Sequence, residues 1–261
     1  RLTGVGQRYS TVLEAPDGNG EGSHFYPPAG SWDDQGPSVA ARMQRYESDA
    51  PPLAETAARR ALDEAHIAAS EITHLVTVSC TGFMSPGVDI QLIETLGLPA
   101  YTERVHVGFM GCHGALNGLR VAQGLAAART DARVLVVAVE LCTLHFQYGW
   151  HEERNVANAL FADGAAALVG VGRDAAQGTW RATASGSCLI PGSRQDMTWH
   201  VRDHGFEMTL SRRVPELIRG HLRPWLEQWL AREELGLEDI RSWAVHPGGP
   251  SLTAEAESRL V

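Results

Sequence analysis

The decapeptide "ARVLVVAVEL", residues 132–141, is the strongest constraint in this sequence. It is a nearly continuous apolar run, too short for an isolated buried helix and rich in β-branched valine. A strand that is apolar on both faces must be covered on both faces, as the inner strands of α/β folds are. "THLVTVSC" (73–80), "ERVHVGFMG" (103–111) and "AAALVGVG" (165–172) read as strands of the same sheet. "GTWRATASGSCLI" (178–190) reads as one more. Helical patterns alternate with them. "LAETAARRALDEAHIAA" (53–69) is amphipathic, with Pro51 and Pro52 placed before it, where proline is tolerated. "SPGVDIQLIETLGL" (85–98) is a turn and a helix ending at Gly97. From Val214 a long helix follows, kinked or divided at Pro224. Alternation of this kind predicts an α/β fold with a parallel or mixed central sheet.

The first fifty residues, dense in Gly, Pro, Asp and Ser, predict a long irregular segment lying over a surface. The formal net charge is −9 and no long basic run occurs, which argues against nucleic acid as a partner. No apolar run approaches a membrane-spanning length, and the polar opening is no secretory signal, so a soluble protein is expected. The four cysteines, 80, 112, 142 and 188, are widely spaced without a C-x-x-C pair, the pattern of reduced thiols in the cytoplasm.

Two segments carry chemistry. In "HVGFMGCHGALNGLRVAQGL", Cys112 stands where a strand turns into a helix, near Gly111 and Gly114, which keep the approach open. Unpaired N–H groups at a helix start favour a thiolate there, whereas an ordinary buried thiol is the plain alternative. In "DIRSWAVHPGGPSLTAEAESRLV", a second strand is expected to lead into His246, followed by a glycine loop and a helix. Ligand sites in open α/β sheets gather beyond the carboxyl ends of strands, so Cys112 and His246 are expected on one face. A thiol beside an imidazole suits covalent acyl transfer.

"GFMGCHGALNGLRVA", "ANALFADGAAALVGVG" and "WAVHPGGPSL" resemble the core motifs of type III polyketide synthases, the chalcone synthase-like branch of the thiolase-fold condensing enzymes. The resemblance implies a thiolase-like fold, layered αβαβα with mixed central sheets and two pseudo-equivalent halves. Residues 1–172 would form the half with the cysteine, and 173–261 the start of the half with the histidine. It implies decarboxylative Claisen condensation of malonyl-CoA onto an acyl-CoA starter held on Cys112, with no permanently bound cofactor. His246 would activate the thiol and assist decarboxylation.

By the same resemblance, Phe161 is the gatekeeper between a coenzyme A tunnel and the cavity, while Cys80, Cys142, His145, Trp199 and Met208 shape that cavity. Trp199 is bulkier than the small residue common among plant relatives; an exposed loop tryptophan is the competing view. Arg8 is expected at the coenzyme A phosphates, a solvated arginine being the bland alternative, and a homodimer is implied, with Ser85–Pro86 at its interface turn. The family's downstream asparagine, its glycine-rich C-terminal loop and its first helix and strand fall outside this sequence, which therefore reads as lacking both termini. A single-round condensing enzyme like ketoacyl synthase III, or a non-catalytic acyl-CoA-binding relative, are the alternatives. His200 and His204 have the i, i+4 spacing of a zinc pair, but no base or third ligand accompanies them, and no metal is expected. "GVGRDAAQG" (170–178) misses the spacing of a dinucleotide loop.

Overall fold

Ser38 starts the first helix, its hydroxyl accepting the Ala41 N–H at 3.3 Å. The computed structural model describes residues 4–13, 25–172 and 180–260. Helix α1 spans Val39–Ala65, so it begins well before the two prolines rather than after them. Pro51 and Pro52 lie inside it, and the carbonyls they leave unpaired belong to the exposed Glu47 and Ser48, where water can satisfy them. The early start has a packing reason: Arg42, Tyr46 and Ala50 are buried ahead of the prolines. The irregular stretch expected up to residue 50 therefore ends at Ser38; its part at 14–24 lies outside the described residues.

Strand β1 (His74–Ser79), helix α2 (Val88–Leu96), strand β2 (Glu103–Gly108), helix α3 (Gly114–Ala128), strand β3 (Arg133–Leu141), helix α4 (Glu152–Leu160) and strand β4 (Asp163–Val171) follow. The sheet order is β2-β1-β3-β4. β1 pairs in parallel with both β2 and β3, whereas β4 runs antiparallel to β3. One face of the sheet, carrying Leu75, Leu135, Val137 and Val139, packs on Ala54, Ala58 and Leu62 of α1 and Leu92 of α2. The other face, with Val76, Val134 and Val136, packs on Ala122 and Leu125 of α3. Each fully buried Val or Leu of this kind contributes about 1.5–3 kcal/mol. α3 sits very close to the sheet: a Cβ at Gly118 would lie 2.8 Å from Val78.

Beyond this unit, β5 (Met197–Arg202) and β6 (Gly205–Leu210) form an antiparallel hairpin. Helices α5 (Val214–Arg232) and α6 (Pro250–Leu260) pack together. α5 is one helix, with Pro224 inside rather than at a division. Two predicted strands do not form among the described residues: 180–190 and 240–249 hold neither helix nor strand, and α6 begins at Pro250. The loop motif at 170–178 lies mostly outside the described residues. Among the described residues, no helix is long and apolar enough to cross a membrane.

Candidate active site

The sheet topology gathers the site. Because β1, β2 and β3 run in parallel, Cys80, Cys112 and Cys142, which follow them in sequence, lie towards one sheet edge. β4 enters from that same edge, since Asp163 pairs with Leu141 at the end of β3, and Phe161 immediately precedes it. The carboxyl-end rule for open sheets thus accounts for four of the expected positions.

Cys112 stands in a single 3-10 turn, Gly111–His113, and α3 starts only at Gly114. The backbone reaches that turn through two left-handed residues, Phe109 at φ 55° and Gly111 at φ 63°. For Gly111 this costs little; for Phe109 it is a strained conformation that neighbouring packing must hold. The Cys112 residue is exposed. Its thiol pKa is nevertheless raised, first by desolvation of the sulfur and then by the negative charge of Glu140. The expected preference for thiolate at a helix start is thus outweighed by these two effects.

Glu140 is the unforeseen centre of this edge. Its carboxylate accepts the Cys80 N–H at 2.8 and 3.0 Å, and the Thr81 hydroxyl at 2.6 Å. Tyr46 donates to the Ser79 hydroxyl at 2.7 Å, beside the same carboxylate. Burial raises the Glu140 pKa in spite of these donors. Burial, with Glu140 second, also pushes up the thiols of Cys80 and Cys142. The sequence signal was a lone acidic residue within an apolar strand.

Trp199 and Met208 pair across the β5–β6 hairpin, and both are half-buried. Trp199 is no exposed loop residue: its Nε1–H donates to the Cys80 carbonyl at 2.8 Å. Its ring meets His145 edge-on at 5.3 Å and Phe206 at 5.7 Å. His145 stacks on Phe206 at 4.2 Å, and Phe206 lies 6.4 Å from Phe109. Through Phe206 this aromatic cluster reaches Phe109, the left-handed residue before the Cys112 turn.

His145 is buried with both ring nitrogens engaged. Nε2 lies 2.6 Å from the Thr81 carbonyl, which can only accept, so Nε2 carries the proton; Nδ1 accepts the Phe206 N–H at 2.9 Å. Desolvation lowers its pKa to about 4. These contacts hold it neutral, with neither ring nitrogen free.

Phe161 is the extended residue that caps α4 after Leu160, is half-buried, and offers its carbonyl to Arg8 Nη1 at 2.8 Å. Arg8 Nη1 also donates to the Asn158 carbonyl. Arg8, expected at phosphates, thus caps the carbonyl end of α4. His246 is exposed in the irregular segment before α6, and its carbonyl accepts the Gly248 N–H at 2.9 Å. The paired strand–helix setting expected for Cys112 and His246 is absent at His246, and no hydrogen bond joins the two side chains among the described residues. Among those residues no cluster of His, Cys, Asp and Glu could hold a metal. His204 Nδ1 instead meets the Gly36 carbonyl at 3.0 Å. The Ser85–Pro86 peptide is cis.

Two family models match the chain: "Chalcone and stilbene synthases, N-terminal domain" over residues 31–175, and the C-terminal domain of the same family over 182–261. The α-pyrone synthesis polyketide synthase-like Pks18 of Mycobacterium tuberculosis is 34% identical over 228 residues, which cover 85% of this chain and 58% of that protein. The 1,3,6,8-tetrahydroxynaphthalene synthase of Streptomyces peucetius is 36% identical over 211 residues, covering 80% of this chain and 56% of the relative. The chain therefore spans somewhat more than half the length of these relatives. Among solved structures, PKS-I of the brown alga Ectocarpus siliculosus superposes with a TM-score of 0.83 at 34% identity, over 90% of this chain and 62% of that one.

Proposed function

Since this chain belongs to the type III polyketide synthases, the chalcone and stilbene synthase family with its thiolase-like α/β fold, we propose that it condenses malonyl-CoA onto an acyl-CoA starter bound at Cys112. The observation that carries this reading is the placement of Cys112 on a strained, solvent-reaching turn at the sheet edge shared with Cys80, Cys142 and Phe161.

In this mechanism the Cys112 sulfur attacks the starter's thioester carbonyl, and the carbon–sulfur bond to coenzyme A breaks. Coenzyme A leaves as its thiol, and the starter remains as a thioester on Cys112. Malonyl-CoA then loses carbon dioxide to give an enolate. The enolate carbon attacks the Cys112 thioester, and the cysteine sulfur leaves as thiolate. A thiol whose pKa is raised by desolvation and by Glu140 is protonated at neutral pH, so it needs a base. His246 is that base in this reading: it takes the Cys112 proton, passes it to the departing coenzyme A sulfur, and its neutral imidazole then donates a ring N–H to the enolate oxygen. Phe161 supplies an apolar face that keeps water from the acyl chain. Cys80, Cys142, Trp199 and Met208 line the growing chain, with His145 behind them.

The division into residues 1–172 with the nucleophile and 173–261 with the histidine belongs to the same reading. So does a homodimer. Val105 on edge strand β2, Phe109 and Met110 beyond it, and Leu116 on α3 are exposed apolar side chains that support such pairing. Four free cysteines fit a reducing compartment, and the cytoplasm is the location proposed.

The test is to incubate the natural full-length protein with malonyl-CoA and a panel of acyl-CoA starters, following carbon dioxide and products by mass spectrometry. Products larger than the starter by two-carbon units, with matching carbon dioxide, are expected. Absence of carbon dioxide release with every starter contradicts the proposal.

A further inference from the structure

Helix α4 ends at Leu160 and β4 begins at Asp163, so the proposed gatekeeper Phe161, which caps the helix, and Ala162 are the whole link between helix and sheet. A segment more than 150 positions away in sequence grips both ends of this link. Arg8 Nη1 donates to the Phe161 carbonyl at 2.8 Å and to the Asn158 carbonyl. The Asp163 N–H donates to the Tyr9 carbonyl at 2.9 Å. The Asp163 carboxylate accepts the Thr11 N–H at 2.8 Å and the Thr11 hydroxyl at 3.3 Å.

The same carboxylate faces the other wall. Asp163 Oδ1 accepts the Thr143 N–H at 2.8 Å, and Oδ2 accepts the Thr143 hydroxyl at 2.6 Å. With that proton committed, the Thr143 hydroxyl oxygen accepts from Ser10, at 2.7 Å. Thr143 directly follows Cys142. Asp163 is therefore held by two chain segments at once, and through it the Phe161 backbone is fixed against the loop that presents Cys142. Hydrogen bonds to a carboxylate are among the stronger ones available.

We propose that Arg8 and Asp163 are positioning residues: they set where Phe161 stands relative to the Cys142 side of the cavity, and so decide whether the Cys112 thioester is extended or hydrolysed. This rests on the reading of Phe161 and Cys112 above. In the hydrolytic loss, water attacks the thioester carbonyl, the carbon–sulfur bond breaks, and the free acid leaves as the Cys112 thiol re-forms. A displaced phenylalanine admits that water and misplaces the malonyl unit, and small misplacements carry large rate penalties.

The experiment compares wild-type full-length protein with Arg8→Met, Arg8→Lys and Asp163→Asn, each checked for folding by circular dichroism. Cys112 acylation is read by intact-protein mass spectrometry, and the ratio of hydrolysed starter acid to extended product by chromatography. Arg8→Met is expected to acylate normally, to raise that ratio about tenfold, and to lower kcat for extension with little change in the KM for malonyl-CoA. Arg8→Lys, which keeps a donor for the Phe161 carbonyl, restores part of the loss. Asp163→Asn shifts the ratio in the same direction; if it fails to fold, the two Arg8 variants decide. A raised KM for both coenzyme A substrates with an unchanged ratio in Arg8→Met would overturn the proposal and return Arg8 to phosphate binding. A wild-type protein that never acylates Cys112 would instead remove the functional reading on which the proposal rests.

Discussion

The Cys80 thiol lies 3.8 Å from the Gly111 carbonyl and donates to it, joining the end of β1 to the turn that carries Cys112. Both thiols lie in the field of Glu140, whose carboxylate accepts the Cys80 N–H. The Cys112 thiol, the Cys80 thiol and the buried Glu140 carboxylate thus form one electrostatic unit.

Glu140→Gln removes the charge that adds to desolvation in raising the Cys112 pKa. The pH midpoint of Cys112 alkylation by iodoacetamide is expected to move down in this variant. The amide also loses acceptors for Ser79, Cys80 and Thr81, so a stability loss of about 1–3 kcal/mol accompanies it. An unchanged alkylation midpoint would show that desolvation alone sets the thiol.

His145 gives a pH dependence of defined sign. Its folded-state pKa is lowered to about 4, below the value near 6.5 of an exposed histidine. As pH falls below about 6.5, the unfolded chain takes up a proton that folded His145 does not accept until about pH 4. Its contribution to stability is therefore lost between those two values, by up to about 3 kcal/mol. Urea unfolding across that range should show the decline, and His145→Gln should flatten it. An imidazole that titrates near 6.5 by NMR in the folded protein contradicts the assignment.

Trp199→Phe keeps a ring against Phe206 but loses the bond to the Cys80 carbonyl, at a cost of about 1 kcal/mol in chemical denaturation. Trp199→Ala also opens space beside Cys80, and longer starters or longer products are expected from it. An identical product profile in both variants would place Trp199 outside the cavity wall.

The sheet was legible because β1, β3 and β4 are apolar runs bounded by polar or glycine-rich segments, and the turn at Cys112 because glycines flank it. The start of α1 was hidden by Pro51 and Pro52, which normally end or begin a helix but here expose only solvent-facing carbonyls. The β5–β6 hairpin was missed because charged and aromatic residues mask its alternation, and β4's antiparallel direction leaves no mark in composition. Cys112 and Phe161 stood out through motif resemblance. Glu140 and Asp163 did not, since their roles arise from donors on segments distant in sequence: Cys80 and Thr81 for one, Thr11 and Thr143 for the other. The strand expected before His246 from the apolar "WAV" does not form among the described residues, where 240–249 pair with no other strand.

Peptide-resolved mass spectrometry after incubation with an acyl-CoA tests whether Cys112, among the four free thiols, carries the acyl group. A single acyl adduct is expected on the peptide containing Cys112, lost in Cys112→Ala. An adduct that persists in Cys112→Ala, or one located on Cys80 or Cys142, would contradict it.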